Sequence, residues 1–180
     1  LLGGLFGGLF SRLVVVMIGA KDGLMGRLKR WPTLYAAGCG LIVALLGLAT
    51  AGYAFGTSYE ETRMAVEHGV TTPWWYAPAK FAATTLSSVA GIPGGLFSPS
   101  LSVGAGIGSG LTHLLPALDP RVVVLLAMAG YFAGVVQAPL TAFIIVLEMT
   151  ADEAMLLPLL ATSLVAAGVS RMVAPEPLYH

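Results

Sequence analysis

Nine basic and nine acidic side chains leave this 180-residue chain with no formal net charge, so no overall field draws it to nucleic acid or to an acidic partner. Hydrophobic residues make up 57% of it and charged residues only 10%, against roughly 25% charged in a soluble domain, which excludes water as the solvent of most of the surface. The lone Cys39 excludes an intrachain disulfide and any cysteine-rich metal site, and His68, His113 and His180 show no ligand spacing.

The chain is apolar from Leu1, with no initiator methionine and no basic region ahead of a short apolar stretch. No signal peptide is expected, and sequence upstream is expected to be missing. A spanning helix needs about 20 mostly apolar residues, whereas runs of about 10 to 14 in a membrane protein point to half-spanning or re-entrant pieces. Both lengths occur. Residues 1–18 and 31–55 are the first two long runs, and Lys21, Arg27, Lys29 and Arg30 gather in the loop between them. The positive-inside rule puts that loop in the cytoplasm, so the first helix runs inward.

Residues 58–68 carry Glu60, Glu61, Arg63 and Glu67 and read as a short interfacial helix. Trp74, Trp75 and Tyr76 follow as expected interface anchors. Residues 78–90 form an apolar stretch that holds Lys80, and a Gly/Pro-dense break comes next, Gly91-Ile92-Pro93-Gly94-Gly95-Leu96-Phe97-Ser98-Pro99. Helices are predicted over 97–115, 122–136, 139–150 and 155–173. The pair of short segments about Gln137-Ala138-Pro139 has the pattern of the discontinuous helices of secondary transporters. About eight helices in one domain are expected, with no internal repeat.

Backbone outside helical geometry is tolerated at membrane depth only where protein buries it or where it lines a watery cavity. The break at 91–99 is the best candidate. Gly94 and Gly95 permit close approach to the main chain, and Pro99 falls in the first helical turn, where its missing N–H costs nothing. The amides of Leu96, Phe97 and Ser98 would then point, unpaired, into the space before the helix, at the positive end of its dipole, an arrangement that holds an anion without a full charge. A Gly/Pro hinge with no ligand is the alternative reading. Lys80 and Glu148 interrupt apolar runs and are functional candidates by default, expected to share one buried polar network. Snorkelling to the interfaces is the competing account. Small residues at helical spacing, Gly104 with Gly108 and Ala129, Gly130, Ala133 and Gly134, predict close helix packing.

Three motifs in order carry a family resemblance. Gly94-Gly95-Leu96-Phe97-Ser98-Pro99 resembles the Gly-Gly-Ile-Phe-Ala-Pro segment of CLC chloride channels and proton-coupled chloride transporters. The stretch from Ala138-Pro139-Leu140-Thr141 to Leu147-Glu148-Met149-Thr150 is similar to their Ala-Pro-Leu-Thr to Leu-Glu-Met-Thr helix, and Pro177-Leu178-Tyr179 looks like the end of their membrane domain. The resemblance implies an all-α, polytopic membrane domain of tilted, broken and re-entrant helices over residues 1–180. This would be the carboxy-terminal half, the second inverted repeat, of a domain whose amino-terminal half is missing. It further implies chloride as ligand, held by the amides of Leu96 and Phe97 and the hydroxyl of Tyr179, with Gly94, Gly95, Ser98 and Pro99 shaping the loop and helix start.

The lipid bilayer, the missing half and a second copy in a homodimer are the implied partners, and a multi-pass place in a bacterial inner membrane the implied location. No cofactor and no enzymatic activity are expected. Channel and antiporter differ in glutamates that the family carries in its first half. Two rival readings are an intramembrane enzyme using Glu148, Lys80 and Tyr179, for which no nucleophile with a base is evident, and a non-conducting assembly subunit or remnant.

Overall fold

The structure, a computed structural model, describes residues 1–19, 31–91, 94–150 and 152–175. The basic loop 21–30, Ile92, Pro93 and the Pro177-Leu178-Tyr179 motif lie outside the described residues. Eight α-helices and one 3-10 turn form the described part, with no strand among the described residues, as an all-α membrane fold requires. Helix α1 (Leu2–Gly19), helix α2 (Pro32–Ala49) and the stretch Glu153–Val173, which contains α8 (Leu156–Val173), are long and apolar enough to cross a membrane. Helices α6 (Pro120–Val136) and α7 (Pro139–Thr150) are apolar but shorter, and α3 (Tyr59–His68), α4 (Tyr76–Val89) and α5 (Phe97–Thr112) complete the set. The protein is a polytopic membrane protein.

The helix boundaries follow from local chemistry. Pro32, Pro120 and Pro139 stand at helix starts, where a residue without N–H removes no helical bond. The Asp119 carboxylate accepts from the Arg121 amide at 2.9 Å and caps α6. At the other end of α6, Gln137 adopts a left-handed φ of 56°, and its Nε2 donates to the Ala174 carbonyl at 2.7 Å. One side chain thus ends α6 and takes a free carbonyl at the end of α8, so the break leaves fewer polar groups without a partner.

The apolar run 31–55 is not one helix. α2 stops at Ala49, and Ala51, Gly52 and Gly56 turn back with φ of 51°, 92° and 58°. The Gly52 amide bonds the Gly47 carbonyl at 2.8 Å, the six-to-one closure of a helix that ends with Ala51 in the left-handed position. The Phe55 ring then lies against Gly47, where a β-carbon would overlap it. Tyr76 departs from expectation as well. It is buried rather than interfacial, because Gly106 gives its ring room, while Trp74 remains exposed.

α6 is the central helix, apolar around its circumference and packed by α1, α5, α7 and α8. Four glycines seat α1, two against α6 and two against α8. A β-carbon at Gly3 or Gly7 would meet the α6 backbone at Gly130 and Tyr131 or at Tyr131 and Gly134, and one at Gly4 or Gly8 would meet Ala166 or Ser170 of α8. The rising numbers show α1, α6 and α8 running the same way. Ser11 adds a hydroxyl bond to the Val135 carbonyl at 3.0 Å. Gly104 meets Met128 and Gly108 meets Val124, so α5 runs against α6, and the small-residue stripes do pack helices closely.

Candidate anion site

α5 begins at Phe97, immediately after the Gly/Pro break, and its first backbone bond from outside the helix proper runs from Ser100 N to Leu96 O at 3.0 Å. No side chain caps the helix, and among the described residues no acceptor takes the amides of Leu96, Phe97 or Ser98. Three donors at the positive end of the helix dipole are therefore free for a ligand. Leu96 borders a cavity of about 600 Å3, lined also by Gly94, Gly95 and Pro99 from the break and by Lys80, Thr84 and Ser88 from α4.

The candidate residues play different parts. Gly94 and Gly95 are exposed on the cavity wall. A β-carbon at Gly95 would meet none of the described residues within 4 Å, and the left-handed turn that leaves α4 falls at Gly91, with φ of 77°. The Leu96 side chain is half-buried, and the Phe97 ring packs edge-on against Phe132 of α6, with centroids 5.1 Å apart, so the ring is committed to helix packing. Ser98 offers its carbonyl to Ser102 Oγ at 3.1 Å.

Hydroxyls fix the helix start. Ser102 Oγ donates to the Thr57 carbonyl at 2.6 Å, and Thr62 Oγ1 of α3 lies 3.0 Å from Ser102 Oγ. Both residues are buried, so the first turns of α5 are tied to the turn after α2 and to the interfacial helix.

Lys80 and Glu148 do not form the single network expected of them. Lys80 is 2% exposed, and its Nζ donates to the carbonyls of Ala54, Phe55 and Gly56 at 3.3, 3.3 and 2.7 Å. Glu148 is exposed on α7, and no ion pair or hydrogen bond joins the two. The physical reason is that the broken end of α2 supplies carbonyls with no helical donor, and a primary ammonium with three N–H groups satisfies them.

One polar residue escaped the reading of residues 1–18 as apolar. Arg12 stands within the span of α1, exposed, four residues after Gly8, which meets Ser170 of α8. A single arginine inside a spanning run is itself the signal that could have found it.

Comparisons with known proteins identify the family. The family described as voltage gated chloride channel matches residues 1–171. A voltage-gated ClC-type chloride channel, ClcB, of Salmonella typhi is 32% identical over 98% of this chain and 44% of its own length. An H(+)/Cl(-) exchange transporter, ClcA, of Vibrio campbellii is 37% identical over 53% of this chain and 22% of its own length, and one from Yersinia pestis bv. Antiqua is 31% identical over 78% and 30%. The chain spans less than half the length of these relatives. A family match over nearly the whole chain, on a helical membrane fold with unpaired amides at a mid-chain helix start, places the protein in the voltage gated chloride channel family.

Proposed function

We propose that the chain forms one wall of a chloride pathway through a membrane, a bacterial inner membrane by the source of its relatives. The reading rests on the unpaired amides at the start of α5, beside a cavity that Leu96 lines, which can replace part of an anion's hydration shell without binding it so tightly that it cannot leave. The relatives named as channel and as exchanger both support chloride as the transported ion. Their greater length supports a further segment that completes the pathway, in the proposal an amino-terminal half of the same protein. A homodimer, with Tyr179 as a further chloride ligand, belongs to the same proposal through the family resemblance.

The test is reconstitution of the full-length protein into chloride-loaded liposomes. Chloride efflux well above that of empty liposomes is expected, and a proton gradient that drives the ion uphill would select exchanger over channel. Efflux at the empty-liposome level would overturn the reading in favour of a non-conducting assembly subunit.

A further inference from the structure

We infer that Ser102 is a positioning residue of the anion site, holding the first turn of α5 from four residues further in and so setting which anions its free amides accept. The role presupposes that this helix start is the anion site.

A helix start that binds a ligand meets a conflict, because a side-chain cap would hold its first turn and would also take the amides that the ion needs. No side chain caps α5, and an uncapped helix end frays. Another contact has to hold the turn. Ser102 stands about 7.5 Å along the axis from Phe97, at 1.5 Å per residue. Its Oγ lies 2.6 Å from the Thr57 carbonyl and 3.1 Å from the Ser98 carbonyl, so one hydroxyl reaches both the turn after α2 and the first turn of α5. The amides stay free while the turn is held.

The hydroxyl of Ser102 is itself held. Thr62 Oγ1 of α3 lies 3.0 Å from it and donates to the Ser58 carbonyl at 2.9 Å. Ser58 adopts a left-handed φ of 52°, which a residue with a side chain keeps only where its surroundings fix it, and its Oγ donates to the Tyr53 carbonyl at 3.0 Å. Tyr76 of α4 brings its hydroxyl to Ser58, Thr62 and Ser102 without a well-formed bond of its own. All four side chains are buried, so hydroxyls from α3, α4, α5 and the turn after α2 meet at one point. Apolar side chains would fill the same space with no bond left unmet. The polar choice points to a fixed geometry at the start of α5 and not to added stability.

The test is titration of the full-length protein in detergent with chloride and with nitrate by calorimetry, with thermal unfolding measured alongside. Ser102→Ala removes the hydroxyl, and chloride binding is expected to weaken about twofold to tenfold, the effect of one neutral hydrogen bond. The ratio of chloride to nitrate affinity is expected to fall with it, because a loosened first turn admits the larger, planar anion. Thr62→Val keeps the shape of the side chain that holds Ser102 and loses its hydroxyl, so the ratio is expected to fall there too, while Thr62→Ser keeps the hydroxyl and the wild-type ratio. A Ser102→Ala protein that unfolds more easily but keeps the wild-type ratio would overturn the inference and leave the cluster as a joint between α3 and α5. If Ser102→Ala does not fold, the Thr62 pair decides. A lower ratio in Thr62→Val alone supports the inference, and equal ratios in the two overturn it. A wild-type protein that binds no chloride at all would remove the anion-site reading itself, a result distinct from equal ratios in variant and wild type.

Discussion

Alanine in place of Gly7 is expected to destabilise the protein by about 1 to 3 kcal/mol or more, because its methyl group would meet backbone and not movable side chain. A β-carbon there falls 2.6 Å from the Tyr131 carbonyl oxygen and 2.8 Å from the main chain of Gly134 and Val135. α1 would have to lift away from α6, and it would leave α8 at the same time, since Gly4 and Gly8 seat the next face of the helix. Gly38 in α2 is the contrasting case. None of the described residues lies within 4 Å of a β-carbon there, so Gly38→Ala is expected to leave stability unchanged or raise it by up to about 1 kcal/mol through helix propensity. Unfolding of the two variants in graded denaturing detergent measures both. Equal shifts of the same sign would show that α1 is not seated as described.

The largest effect on ligand binding is expected from the Phe97 amide. Incorporating the α-hydroxy acid analogue of phenylalanine at 97 replaces N–H by an ester oxygen and keeps the ring on Phe132. α5 loses no helical bond, because that amide has no backbone acceptor. A hydrogen bond to a charged partner is worth about 1.5 to 3 kcal/mol, so chloride affinity should fall roughly tenfold to a hundredfold. The same replacement at Leu111, late in α5, removes a helical bond away from the helix start. It should cost stability without a comparable loss of chloride affinity, and a reversed pattern would move the anion away from the helix start.

The helix order was legible in the sequence because boundary residues announce themselves. Prolines 32, 120 and 139 start helices, and the Gly/Pro break at 91–99 does precede one. The break at 50–56 was hidden, since the run 31–55 keeps its hydropathy through the turn and only Gly52 and Gly56 hint at positive φ. That hidden break also misdirected the reading of Lys80. Counting opposite charges pairs a buried lysine with a glutamate, whereas the carbonyls freed by a broken helix are donor-hungry and carry no sequence mark. The glycines of α1 show the same limit. Gly3, Gly4, Gly7 and Gly8 form a stripe in plain view, but only the neighbours across α6 and α8 show that it admits two backbones at once.

The most direct test of the central claim is a crystal structure of the full-length protein grown in bromide, an anion that scatters anomalously and stands in for chloride. An anomalous peak is predicted within hydrogen-bonding reach of the Leu96 or Phe97 amide, on the cavity side bounded by Lys80. Bromide peaks elsewhere in the protein, with none at the start of α5, would contradict the assignment of that helix start as the anion site.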